Sequence, residues 1–548
     1  MLEIRDLTFA YPGGGEIIRN MDLSVPAGEF VTVFGATGSG KSTFLRLLKK
    51  ELAPVGDLSG EILFRGERQI RDSAEGDAGR IGFVAQSPEE QIVTESVWHE
   101  LAFGLENMSV PAPEIKRRIA ETAAFFGIEP WYEKKTSDLS GGQKQLLNLA
   151  SVMVTSPELL ILDEPTAQLD PVSASEFISV LRKINTELSV TVIISEHRLE
   201  ELIGISDRLV VMKKGGRPVS AAPSEIGDLI ADMPELSDYM PAPVRLFRAL
   251  GDHGAAPLNI VTGRKYIRDT YGNSIRSLDA SSGGDASGTR GTALEFSGVF
   301  FSYGRDSKDV LRNLSFSAEK GEALFLLGGN GSGKTTAMCA AAGILRPYSG
   351  KIRIFGKNIK EYKGDSLYDS CVSMLPQEPE TLFLRSTVLD ELRDCGLSGN
   401  EEDLPFDLTE LYGRHPYDLS GGEKQLLAIT KVLSRKPKIL LMDEPTKGLD
   451  VSFRRKIEDL VRVLKAKGVT VVVITHDTEF AAECADRCVM FFRGEAVCCE
   501  PPSGFFLKNS FYTTSARKMT DGYYDGIVTL REAEEICRIN GKKQGDDI

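Results

Sequence analysis

Short apolar runs recur along this chain in a repeating order. Residues 2–34 read as short strands, opening on the strand-like LEIRDLTF and divided by turn signals at Pro12–Gly15 and Pro26–Gly28. Phe30–Phe34 (FVTVF) is apolar and β-branched, as a buried strand should be, and FLRLLKKEL after it carries leucines at helical spacing. A polar stretch over residues 53–80 leads to IGFVAQ; the helical pattern QLLNLASVM then leads to LLILDEPT, and a further strand closes on TVIISEH. The same order returns later as ALFLL, VSMLPQ, QLLAITKVL, ILLMDEPT and TVVVITH. Two copies of strands interleaved with helices predict two α/β domains.

The joints between these runs carry the chemistry. Between FVTVF and its helix lie Gly35, Ala36, Thr37, Gly38, Ser39, Gly40, Lys41, Ser42 and Thr43. They match GxxxxGK[ST], a glycine-rich turn whose backbone N–H groups cradle phosphates at a helix N-terminus. Lys41 is placed to reach the β- and γ-phosphates of a nucleotide and Ser42 to hold Mg²⁺. The second copy consists of Gly328, Gly329, Asn330, Gly331, Ser332, Gly333, Lys334, Thr335 and Thr336, and it gives the same tasks to Lys334 and Thr335. Tyr11 and Tyr303 precede the two loops at the same relative place, where an aromatic ring can stack on adenine.

Gln86 and Gln377 end the strands IGFVAQ and VSMLPQ, where a glutamine can touch Mg²⁺ or the attacking water. Ser140, Gly141, Gly142 and Gln143 open one helical pattern, and Ser420, Gly421, Gly422 and Glu423 open the other, each making an anion-seeking helix N-terminus. Asp163 and Asp443 stand at the carboxyl edge of buried strands, where nucleotide sites form in open α/β sheets, and suit a hydrated Mg²⁺. The adjacent Glu164 and Glu444 are placed to orient or deprotonate the attacking water. His197 and His476 end the last strands at matching positions, two of only five histidines, and are assigned to the γ-phosphate.

Composition narrows the class. At 548 residues the chain exceeds one hydrophobic core. A net charge of −14 argues against a sequence-independent nucleic-acid binder and against direct adhesion to anionic lipid. No apolar run approaches the about 18 residues of a membrane span, and Met1 leads into a strand with no signal peptide expected. All eight cysteines lie after residue 338 without CxxC spacing, which points to reduced cytosolic thiols rather than disulfides or zinc.

P-loop, glutamine, LSGGQKQ or LSGGEKQ, DEPT and terminal histidine, in that order and twice, resemble the ATP-binding cassette (ABC) ATPases. The resemblance implies two P-loop NTPase domains, each with a mixed sheet core, an antiparallel β subdomain and a helical signature subdomain. It also implies an intramolecular cassette pair working head to tail, Gly35–Thr43 with Ser420–Glu423 and Gly328–Thr336 with Ser140–Gln143, using ATP and Mg²⁺. The boundaries expected are 1–232 and 293–520 for the cassettes, 233–292 for an extension and linker, and 521–548 for a tail. Within 233–292, the Gly- and Ser-rich residues 279–292 read as a flexible linker, and the terminal GKKQGDDI reads as disordered.

QSPEEQIVTESVWHELAFGLENM (Gln86–Met108), RHPYDLSGGEKQ (Arg414–Gln425) and FFLKNSFYTTSARKM (Phe505–Met519) are similar to fused ATPases of energy-coupling factor transporters. That narrower resemblance implies import of a vitamin or metal ion at the cytoplasmic face of the cell membrane. The partners would be a transmembrane coupling protein and a substrate-capturing membrane subunit. The copies differ where such a partner would dock: 55 residues separate Gln86 from Gly141, but 44 separate Gln377 from Gly421. The stretches after DEPT read AQLD and KGLD, ending at Asp170 and Asp450; Lys447 is unusual for the family there and is a candidate to slow one site. The alternative is a soluble tandem-cassette ATPase acting on the ribosome or another non-membrane partner. It would carry a long charged helical linker, whereas this one is short and made of Gly, Ser and Asp.

Overall fold

The computed structural model describes residues 1–69, 79–197, 199–231, 233–278, 291–304, 307–369, 371–397 and 404–543. The linker residues 279–290 and the terminal 544–548 therefore lie outside the described residues. The chain divides into two compact units, 1–263 and 264–548.

The first unit runs through β1 (Leu2–Ala10), β2 (Glu16–Val25), β3 (Phe30–Phe34), β4 (Asp57–Phe64), β5 (Glu67–Arg68), β6 (Ile81–Val84), β7 (Leu159–Asp163), β8 (Thr191–Ser195), β9 (Arg208–Val211) and β10 (Val219–Ala221). Strands β2-β1-β4-β5 form an antiparallel sheet, and β10-β9-β3-β8-β7-β6 form a mixed sheet whose one antiparallel pair is β9 with β10. Its helices are α1 (Lys41–Leu47), α2 (Pro88–Gln91), α3 (Val97–Asn107), α4 (Ala112–Phe126), α5 (Gly141–Met153), α6 (Pro171–Leu188), α7 (Ile226–Ala231) and α8 (Ala242–Ala249), with α9 (Ile260–Thr270) ending beyond the boundary.

The alternation hidden inside the apolar runs explains the layers. Val31, Val33, Leu159, Ile161 and Ile193 face α1 and the antiparallel sheet. Phe30, Leu160, Leu162, Val192 and Ile194 face a second core built from α3, α4, α5 and α6. Both faces are covered, so every position on these strands is buried, and the polar Thr32 pairs its hydroxyl with that of Ser206. Helix α1 is shorter than the leucine spacing suggests: it stops at Leu47, and Lys50–Leu52 form a 3₁₀ turn. Pro54 disfavours helical geometry in the residue before it, which ends the run.

The second unit repeats the plan with β11 (Thr292–Phe301), β12 (Leu311–Glu319), β13 (Ala323–Leu327), β14 (Ser349–Ile354), β15 (Lys357–Asn358), β16 (Val372–Leu375), β17 (Ile439–Asp443), β18 (Thr470–Ile474), β19 (Arg487–Phe492) and β20 (Glu495–Glu500). They form the sheets β12-β11-β14-β15 and β16-β17-β18-β13-β19-β20. Helices α10 (Lys334–Ala341), α11 (Val388–Asp394), α12 (Gly421–Ser434) and α13 (Val451–Ala466) follow the first unit's pattern, and α14 (Thr478–Cys484) lies where the described residues between β8 and β9 form turns. Among the described residues α4 has no helical counterpart here, and the shorter interval before the second signature falls at this place.

Helices α15 (Pro502–Lys508), α16 (Ser515–Thr520) and α17 (Leu530–Asn540) close the unit, with Tyr524, Ala533, Ile536 and Cys537 buried. Packed structure thus continues past Asp521. Residues 264–278 join this end: the Tyr524 hydroxyl donates to the Gly272 oxygen at 2.7 Å. Asn540 brackets Ile275, accepting from its N–H at 2.9 Å and donating to its oxygen at 2.8 Å.

Candidate active sites

Each P-loop leaves the carboxyl end of a central buried strand. Gly35, after β3, has φ +150°, and a Cβ there would lie 2.2 Å from the Met212 oxygen; Gly328, after β13, would meet the Phe491 oxygen at 2.4 Å. Glycine alone lets the loop pass so close to the neighbouring strand. The buried Lys41 Nζ donates to the Gly35 oxygen at 2.9 Å, and Lys334 donates to Gly328 at 2.7 Å and Gly329 at 3.0 Å. Both ammonium groups are thereby folded back over the loop. The Ser39 and Ser332 hydroxyls are buried there with no hydrogen-bond partner, an unmet polar demand in each cradle. Tyr11 and Tyr303 reach the same helices, their hydroxyls 3.1 Å from Thr43 Oγ1 and Thr336 Oγ1 respectively.

Asp163 and Asp443 end β7 and β17, and Glu164 and Glu444 follow them. Glu164 (φ +45°) and Glu444 (φ +49°) both hold the left-handed backbone that non-glycine residues avoid, a strain repeated in both units. In the first unit the expected residues converge. Ser42 Oγ donates to Asp163 Oδ1 at 3.0 Å, and Gln86 Nε2 to Glu164 Oε2 at 3.1 Å. His197 Nε2 is 2.9 Å and Lys41 Nζ 3.5 Å from Glu164 Oε1. Burial pushes the Glu164 carboxyl up, but His197 and Lys41 outweigh it and leave the pKa below its ordinary value. Burial raises that of Asp163.

The second site is looser. His476 Nε2 stands 3.3 Å from Glu444 Oε1, and its backbone N–H 3.4 Å from Oε2. Burial pushes Glu444 up to about 7, against the pull of Lys334 and of Lys447. Asp443 is raised by burial too; the Thr335 hydroxyl lies toward it, yet neither carboxylate oxygen has a hydrogen bond of ordinary geometry. Gln377 is exposed and makes no hydrogen bond among the described residues.

Two residues missed by motif reading account for much of this difference. Ser195, opposite Asp163 in the β7–β8 register, donates to Asp163 Oδ1 at 2.8 Å; the residue opposite Asp443 is Ile474. Glu196 is buried and accepts from the Thr166 N–H at 2.9 Å and hydroxyl at 2.7 Å; burial lifts its pKa to about 7. Thr475 stands in its place in the second copy. The signal was present in the contrast of TVIISEH with TVVVITH.

Ser140 and Ser420 cap α5 and α12 through reciprocal capping boxes with Gln143 and Glu423. Gly141 and Gly421 face open space, whereas a Cβ on Gly142 would meet Ser173 at 2.9 Å and one on Gly422 the Phe453 ring at 2.6 Å. Asp170 and Asp450 cap α6 and α13.

Mg²⁺ fits the donors at both sites, a hydroxyl beside a carboxylate, and the unsatisfied oxygens of Asp443 argue for a cation most directly. Among the described residues no three His, Cys, Asp or Glu side chains gather as a metal cage, so the nucleotide and water would supply the remaining ligands.

A phosphate cradle, a strand-end Asp-Glu pair and a histidine on the glutamate define a P-loop nucleoside triphosphatase, here carried twice. A model of the ABC transporter family matches residues 18–167 and 311–447. A protein of Bacillus thuringiensis subsp. konkukian, provisionally described as an ABC transporter ATP-binding protein, is 37% identical over 98% of each chain. One of Streptomyces coelicolor, described the same way, is 31% identical over 95% of this chain and 97% of its own. The solved structure of cbiO1 from Clostridium perfringens, part of the ABC transporter complex cbiONQ, is 31% identical over 45% of this chain and 98% of its own, with a TM-score of 0.39. The chain belongs to the ABC transporter family: it is a tandem-cassette ATPase that binds ATP and hydrolyses it to ADP and phosphate.

Proposed function

We propose that this ATPase powers an importer of the energy-coupling factor type. Hydrolysis would drive a separate transmembrane coupling protein, joined by a substrate-capturing membrane subunit, and carry a vitamin or metal ion inward. On this reading Lys41 and Lys334 hold the β- and γ-phosphates, Tyr11 and Tyr303 stack on adenine, and His197 and His476 contact the γ-phosphate. Glu164 and Glu444 orient or deprotonate the attacking water. Ser42, Gln86 and Asp163, and Thr335, Gln377 and Asp443, would hold Mg²⁺, which neutralises phosphate charge.

The observation that carries the reading is the surface of α3, shortly after Gln86. Val97, Leu101 and Leu105 are buried, but Trp98, Phe103 and Met108 are 44%, 40% and 46% exposed, beside Val93 at 61%. Exposed large apolar groups on and beside one helix support a partner surface there. Helix α11 offers Arg393 and Asp394 where α3 has Ala102 and Phe103, so each cassette would dock a different site on the coupling protein. The relatives' description as ABC transporter ATP-binding proteins supports coupling to transport. No helix among the described residues is long and apolar enough to cross a membrane, and the reading gives that passage to another polypeptide.

Co-purification from membranes tests it. An integral membrane protein should accompany the chain, and Trp98→Asp with Phe103→Asp should release it while ATP binding is retained. A ribosome in its place, or unchanged membrane capture by the double variant, would overturn the reading.

A further inference from the structure

The loop at His476 is fastened from outside its site. In the first cassette the same loop is tied within the site, by Ser195 to Asp163 and Glu196 to Thr166. Ile474 and Thr475 remove both ties from the second. What replaces them begins on α13, four residues after its Asp450 cap. Arg454 Nη1 stands 3.1 Å from Asp477 Oδ2, and Nε donates to Glu458 Oε1 at 2.9 Å. Asp477 follows His476 directly, is buried, and caps α14 by accepting the Phe480 N–H at 3.0 Å.

Two residues further on, Glu479 accepts the N–H of Ser515, the first residue of α16, at 2.6 Å. The hydroxyl of Thr514, the α16 cap, donates to the Val528 oxygen at 2.5 Å, and the Val528 N–H donates to Glu532 of α17 at 2.8 Å. A series of polar contacts thus leads from α13 past the histidine to the C-terminal helices. At the matching places the first cassette has Ala174 for Arg454, Ile178 for Glu458 and Arg198 for Asp477, so its sequence cannot build the same device.

We propose that Arg454 is a positioning residue for ATP hydrolysis in the second cassette: through Asp477 it sets His476 against Glu444, and Glu479 beside it makes that geometry depend on α16 and α17. Removing the guanidinium takes its counter-charge from the buried Asp477 carboxylate, which keeps the Phe480 N–H, and the loop must shift to compensate. The proposal rests on Glu444 and His476 acting in hydrolysis, which a separate arm of the test reads.

The test is steady-state ATPase kinetics on the full chain. Arg454→Ala should lower kcat about fivefold while KM for ATP moves less than about twofold, the pattern of lost transition-state organisation rather than lost binding. Arg454→Lys, which keeps the charge, should recover most of the rate, and Arg454→Gln, which keeps length without charge, should not. Added to Glu444→Gln, Arg454→Ala should cost less than about twofold more, because both act on one site. Glu479→Gln should lower kcat in the same direction. An unchanged kcat for Arg454→Ala, a KM that rises in step, or a loss additive with Glu444→Gln overturns the proposal. Glu444→Gln without effect would instead overturn the reading of the second site on which it stands. Should Arg454→Ala fail to fold, the Lys and Gln variants carry the same comparison.

Discussion

Glu196→Gln is the sharpest test of how the first site is held together. The carboxyl is buried beneath Thr166, which donates to it twice, and burial lifts its pKa from 4.5 to about 7. A folded pKa above the unfolded one means the folded chain keeps a proton that the unfolded chain has released. Stability from this group is therefore complete below pH 4.5 and is lost as pH rises through about 7. The gap between the two values corresponds to about 3 kcal/mol. Glutamine has the shape of the protonated acid and does not titrate. The variant should match the parent near pH 5 and exceed it at pH 8.5 by up to about 3 kcal/mol, on the order of 6–12 °C in Tm for a unit of this size.

The two units need not unfold together, so the assay must see one of them. Both tryptophans, Trp98 and Trp131, lie in the first unit, and thermal unfolding followed by their fluorescence reports that unit alone. A stability difference that stays constant from pH 5 to 8.5, or that favours the parent at high pH, refutes the reasoning.

Three further outcomes are expected. Gly422→Ala places a Cβ 2.6 Å from the Phe453 ring and should cost the second unit about 1–3 kcal/mol in urea unfolding, whereas Gly421→Ala opens on free space; equal effects would discount the close approach of α12 to α13. Tyr524→Phe removes the partly buried hydrogen bond to Gly272 and should weaken the local packing by about 1–2 kcal/mol, seen as faster hydrogen exchange across residues 264–278. Unaltered protection there would mean the segment is held by other contacts. Glu164→Gln and Glu444→Gln should each lower overall kcat by at least about twofold where the two sites turn over alike, and a variant without effect marks a silent site.

Much of the fold was written in local pattern. FVTVF, LLILD and TVIIS became β3, β7 and β8 because an uninterrupted apolar run suits a strand covered on both faces. The P-loops were legible because close backbone approach at Gly35 and Gly328 tolerates one residue type. The convergence of Gln86, Asp163, Glu164 and His197 was legible through order and spacing, which bring strand ends to one sheet edge. What escaped was pairwise. Ser195 reads as one more strand residue until the register sets it opposite Asp163, and Arg454 reads as a helix surface charge until α14 brings Asp477 to it. The 11-residue shortening before the second signature was countable in the sequence, but a count does not say that α4 is the helix without a counterpart among the described residues.

The clasp of Asn540 and Tyr524 on residues 272–275 changes what the glycine-serine stretch joins. Leu278 and Gly291, its two described neighbours, belong to the same unit. The stretch therefore leaves one body and returns to it, while the covalent crossing between units falls near residue 263, inside the helix that ends at Thr270. A gene divided within codons 279–290 would give a first polypeptide that carries, as its own carboxyl terminus, a docking peptide for the second. The fusion and a two-gene arrangement would then differ by a cut that breaks none of the contacts holding that peptide.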